Sequence, residues 1–153
     1  MVWGRATLVP VETYLSTPYD PDCDYVDGVL EERNAGEKDH SKLQGNLYVY
    51  LRHHFEKFYT AIEQRIRVAP ARFRVPDLCV YTQEPAEQIL VTPPFLCVEI
   101  LSPEDRMSRM QEKIEDYLKF GVRFVWLIDP RSKRAEIHTN ERSEEGLFRV
   151  LSG

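Results

Sequence analysis

No apolar run in this 153-residue chain approaches the roughly 20 residues that span a bilayer, which argues against a membrane helix. Arg5 is not followed by the apolar stretch of a secretion signal. Cysteine is scarce. Cys23, Cys79 and Cys97 are an odd number, and none sits in a CxxC pair, so a zinc site is not expected. Cys79 and Cys97 lie in apolar stretches, where a free buried thiol is the usual occupant. The compartment therefore reads as reducing and cytoplasmic. Positive charge is not in surplus either: 20 Lys and Arg stand against 25 Asp and Glu, a net charge of -5. Bulk electrostatics gives no pull toward nucleic acid. Repeats, low-complexity tracts and linkers are also lacking, and the length suits one domain over residues 1–153.

What is present is charge in the wrong place. Asp77 follows Pro76 at the head of an apolar stretch, and Glu99 interrupts the run Phe95-Leu96-Cys97-Val98-Glu99-Ile100-Leu101. A carboxylate in a buried strand is costly unless it is paired or bound to a metal.

The surrounding pattern places both acids. Residues 10–16 read as a short helix ended by Pro18 and Pro21. Residues 25–32 read as a hairpin turning at Asp27-Gly28. Leu43, Leu47, Tyr50, Leu51, His54 and Phe58 recur at helical spacing, predicting a helix over 39–57, with Ser41 and Gln44 as a candidate capping box. His40 opens that stripe and faces the sheet. His53 and His54 form no ligand spacing with it. Residues 59–68, 75–81 and 94–101 read as strands, with a polar loop over 83–93. A helix runs to Phe120, starting at Ser102-Pro103 or at Ser108, with Met107, Met110, Ile114, Tyr117 and Leu118 as its buried stripe. Gly121 stops it. Residues 122–128 form a fourth strand, and 133–139 with 146–150 a terminal hairpin. Helix, three strands, helix and strand define an α/β (α+β) fold: a mixed central sheet flanked by helices, with small hairpins at both ends.

Alternation puts Asp77, Cys79 and Tyr81 on one face, and Phe95, Cys97, Glu99 and Leu101 on one face of the next strand. If those faces coincide, the acids approach each other. Two carboxylates about 4 Å apart repel by roughly 4 kcal/mol at an effective dielectric of 20. A hard divalent ion would relieve that repulsion, and oxygen-only ligands select Mg²⁺ or Mn²⁺. Alternatively, Asp77 caps its own backbone and Glu99 is ion-paired. Lys113 lies at the edge of the next helix's stripe. Either its amine leans over the strand ends, or it pairs with Glu112 or Asp116 in solvent. Arg65, Arg67, Arg72 and Arg74 precede the Pro-Asp pair. They read as a basic rim for nucleic acid or as a solvated face.

These residues together resemble the Uma2 family (DUF820), a branch of the PD-(D/E)XK nuclease superfamily. The resemblance rests on Tyr25-Val26-Asp27-Gly28-Val29-Leu30, His40 opening a helix, Val75-Pro76-Asp77, Val98-Glu99-Ile100-Leu101-Ser102-Pro103, Lys113 with Tyr117, Gly121-Val122, and Trp126-Leu127-Ile128-Asp129-Pro130. It implies a restriction-endonuclease-like core and a Mg²⁺-dependent cut in DNA. Asp77, Glu99 and Lys113 would be catalytic. Asp77 and Glu99 would hold metal, with Glu63 as a third ligand candidate and His40 as an accessory. The superfamily expects a lysine two residues after the acid, where this chain has Leu101. The branch carries it on the following helix, at Lys113. The family is also longer, which implies elements beyond Gly153. A double-strand cut needs two sites, so a homodimer is expected. The alternative is a catalytically inactive nuclease-fold module for DNA binding or assembly.

Overall fold

A computed structural model describes residues 7–34, 37–141 and 143–147. The elements in chain order are α1 (Val11–Ser16), β1 (Asp24–Val26), β2 (Val29–Glu31), α2 (Lys38–His54), β3 (Tyr59–Ile62), β4 (Ile66–Ala69), β5 (Arg72–Arg74), β6 (Leu78–Tyr81), β7 (Leu96–Ile100), α3 (Met107–Phe120), β8 (Phe124–Asp129), β9 (Arg134–His138) and β10 (Ser143–Leu147). Strands β10-β9-β8-β7-β6-β3 form a six-stranded sheet, and β2-β1-β5-β4 a smaller one. In the large sheet only the β7–β8 pair is parallel, and α3 is its crossover, as a parallel connection requires.

Period-two alternation decides what each face of the large sheet meets. Leu78, Val80, Leu96, Val98 and Ile100 face α2 and pack on its stripe of Leu43, Leu47 and Leu51. Cys79, Tyr81, Cys97, Val125 and Leu127 face the other way, against Met110, Ile114 and Tyr117 of α3 and Ile66 and Val68 of β4. Glu99 shares the parity of Cys97, so it points toward α3. The antiparallel register pairs Cys79 with Cys97 and Leu78 with Val98. Continued by one residue, it sets Asp77 opposite Glu99.

The hairpin turns where expected, with Asp27 at φ 50° and Gly28 at φ 91°. Such a turn needs both residues left-handed, which Asp-Gly supplies cheaply. Gly121 ends α3 at φ 114°, its amide donating to the Tyr117 and Leu118 carbonyls.

Four expectations fail for local reasons. The strand over 59–68 is two strands in different sheets, broken where Glu63 takes φ 51°. As a result Ile62 is exposed while Ile66 is buried. Helix α2 starts before Ser41 and has no side-chain cap, and Gln44 instead donates to the Asp77 carbonyl at 3.0 Å. Helix α3 starts at neither proposed serine but after Arg106, so Met107 is exposed rather than in the stripe. Phe95 lies outside β7 and packs on Phe124. The terminal hairpin forms as β9 and β10, and residues 148–150 of the expected last strand lie outside the described residues.

Candidate active site

Asp77 ends the loop from β5 and sits at the mouth of β6, where strand pairing has not yet begun. It is buried, and its oxygens are shared out. Oδ2 accepts the Ile100 amide at 2.7 Å. Oδ1 accepts Arg33 Nη2 at 2.8 Å and lies 3.2 Å from His40 Nε2. Burial pushes this carboxyl upward. The His40 hydrogen bond and the Arg33 charge outweigh burial, and the group is held below the usual carboxylate range. His40 is raised above its ordinary value: burial opposes its charge, but the Asp77 carboxylate favours it more.

Glu99 stands on the α3 side of β7 and is also buried. Lys113 Nζ lies 2.9 Å from its Oε1 and 3.0 Å from its Oε2, and the Tyr117 hydroxyl donates to Oε1 at 2.9 Å. Burial pushes the Glu99 carboxyl up to about 7 against the opposing pull of Lys113, and Asp77 and Asp24 push the same way as burial. Lys113 is buried too, and reaches Asp24 Oδ2 at 3.2 Å. Burial alone would lower its pKa, but Asp24 and Glu99 raise it, so it stays an ammonium. The structure therefore brings Asp77, Glu99, Lys113 and His40 together. Lys113 takes the inward position and not the solvent pairing with Glu112 or Asp116.

Glu63 reaches the cluster indirectly. It is exposed, and its Oε1 lies 3.5 Å from Arg33 Nη1. Sequence reasoning missed Arg33 and Asp24. Asp24 carried a usable signal, as an acid set directly before the apolar pair Tyr25-Val26. Arg33 carried none, because its partner lies 44 residues away.

The four arginines do not form the expected basic rim. Arg74 is completely buried, contacting Asp24 at 3.3 Å, Glu31 at 3.1 Å and Asp116 at 2.7 Å. Arg65 grips Asp22 at 2.7 Å and 2.8 Å and lies over the Tyr14 ring. Arg72 binds Asp27 and Asp116, and Arg67 donates to the Pro70 carbonyl. Arg65, Arg72 and Arg74 spend their charge on acids brought alongside by the fold, whereas Arg67 is held by a backbone carbonyl.

A cleft of about 200 Å³ opens onto Asp24, Arg33, Asp77, Glu99 and Lys113, with Arg109 at its edge. Among the described residues no three acid, histidine or cysteine side chains form a ready cage for an ion. The donor chemistry nevertheless fits Mg²⁺ or Mn²⁺. Mg²⁺ in particular takes one or two carboxylates and completes its shell with water and substrate phosphate, and Asp77 and Glu99 are two hard-oxygen donors on one cleft.

A mixed α+β fold of two sheets with two buried acids and a lysine at one sheet end is a nuclease-like architecture. The family model Uma2, described as "Putative restriction endonuclease", matches residues 11–150, and the chain belongs to that family. It is similar to the crystal structure of a "putative nuclease belonging to DUF820" from Anabaena variabilis. The two are 22% identical with a TM-score of 0.78, over 88% of this chain and 82% of that one. No curated protein matches it. No helix among the described residues is long and apolar enough to cross a membrane.

Proposed function

We propose that this chain is a Mg²⁺- or Mn²⁺-dependent endodeoxyribonuclease-like phosphodiester hydrolase that acts as a homodimer. One observation supports it above the others: two buried carboxylates, Asp77 just before β6 and Glu99 on the neighbouring β7, open onto one cleft beside a buried lysine. Such groups are expensive to bury and do nothing for packing that apolar residues would not do better. In this reading Asp77 and Glu99 hold the ion, with Glu63 as the candidate third ligand. The ion supplies Lewis acidity toward a phosphodiester and makes water a usable nucleophile near neutral pH. The chain's own groups do the positioning. His40 fixes the Asp77 carboxylate. Tyr117 fixes Glu99, and Lys113 holds positive charge where phosphate charge would grow. Arg106 and Arg109, both exposed on the cleft, suit backbone phosphates. Plasmid incubated with the protein should be nicked or cut with Mg²⁺ or Mn²⁺ and untouched with EDTA. Cleavage that ignores the chelator would refute the metal reading.

A pH signature accompanies it. An ion needs Glu99 ionised, whereas burial favours the protonated form up to about pH 7. Binding should therefore expel a proton below that point. Mn²⁺ affinity measured by calorimetry should rise roughly 25-fold from pH 5.5 to 7.5, the response of one linked proton. Asp77 is held low and stays ionised across this window. In the ion-free protein the sign reverses. The raised Glu99 adds stability that is complete below its unfolded value and lost as pH climbs through about 7.

The full partnering of Asp77 and Glu99 by internal cations also supports a second reading, a catalytically inactive nuclease-fold module for DNA binding or assembly. That reading expects no Mn²⁺ heat, and stability unchanged or raised in Glu99→Gln.

A further inference from the structure

We propose that Arg33 is a positioning residue that takes the place of a cation between Asp77 and Glu63, and that it must release Asp77 before a divalent ion binds. The proposal rests on the metal-dependent reading above. Its ground is geometric. The Arg33 side chain is only 6% exposed, yet it lines the catalytic cleft. One terminal nitrogen lies 2.8 Å from Asp77 Oδ1. The other is buried, makes no hydrogen bond, and stands 3.5 Å from Glu63 Oε1. A single guanidinium thus spans two of the three acids that sequence reasoning assigns to the metal.

Charge balance gives the same answer. Asp24, Asp77 and Glu99 are three buried acids; Lys113 serves Glu99 and shares Asp24 with Arg74. Asp77 is left to Arg33 and His40. A divalent ion added beside Arg33 would crowd cations around one carboxylate. Exchange would avoid that: with the guanidinium withdrawn, the Asp77 oxygen it now holds would be free to ligate the ion.

Calorimetric titration with MnCl₂ distinguishes the outcomes, using wild type, Arg33→Gln, Arg33→Lys and Asp77→Ala. Arg33→Gln should bind Mn²⁺ about tenfold more tightly than wild type, the effect of removing one partly buried competing charge. Arg33→Lys should fall between the two. A melt gives an independent readout: without ion Arg33→Gln should melt below wild type, and saturating Mn²⁺ should raise it by more degrees than it raises wild type. Affinity equal to or weaker than wild type in Arg33→Gln overturns the exchange while leaving the metal reading intact. No Mn²⁺ heat in any variant overturns both. Binding that persists in Asp77→Ala places the ion elsewhere and also overturns both.

Discussion

Asp77→Ala is expected to reduce metal-dependent plasmid cleavage on the order of 10³-fold, the several kcal/mol that a metal-holding carboxylate contributes to a transition state. The same change should erase the heat of Mn²⁺ binding. No other group takes over its roles. Asp77 is where the Arg33 guanidinium, the His40 ring and the Ile100 amide meet. Removing it leaves a buried guanidinium and a buried amide without their acceptor, so a stability loss accompanies the lost activity. Asp77→Asn separates the two effects. An amide oxygen can still accept the Ile100 N–H, so the fold should be better preserved while cleavage stays lost. Full cleavage by a folded Asp77→Asn protein would end the hydrolase proposal.

Arg74→Met is expected to cost about 3–5 kcal/mol of unfolding free energy, the range for breaking a buried ion pair from one side. For a chain of this size the melting temperature should fall by roughly 6–20 °C. Arg74 is completely buried, and its fork holds together three acids from three elements: Asp24 of β1, Glu31 of β2 and Asp116 of α3. Asp24 also receives the Val75 amide at 3.0 Å and Lys113 at 3.2 Å. Without Arg74, Lys113 becomes the only cation on Asp24 and is drawn away from Glu99. The loss should therefore reach the site as well as the fold. Urea unfolding measures it, and a cost below about 1 kcal/mol would show that the network is solvated and weak.

The fold was legible where a local rule governs it. Asp27-Gly28 supports only a few backbone turns, and it turned. Leu43, Leu47 and Leu51 recur at helical spacing, and they face the sheet. The strand over 59–68 was misread because its Ile62 and Ile66 share a parity while a left-handed Glu63 separates them. Nothing in a glutamate announces a positive φ. The amide of Glu63 donates to the Asp77 carbonyl at 3.3 Å, a bond that depends on a residue 14 positions on, just before the neighbouring strand β6. The arginines were misread for a related reason. Alternation says which face a side chain takes, but not whether water or Asp116 waits there.

The chain's local pattern was enough to show that two carboxylates lie in stretches too apolar to leave them free, which parity each takes along its strand, and that a helix bearing Lys113 follows the second. Those facts follow from a two-residue period in strands and a 3.6-residue period in helices, and both act over a few neighbours. Only tertiary structure decided which cation answers which acid: Lys113 for Glu99 and Asp24, Arg33 for Asp77, and Arg74 for Asp24, Glu31 and Asp116. Charge pairing has no sequence period. It depends on distance and desolvation at the point of contact, and those exist only once two sheets and a helix have closed on one another.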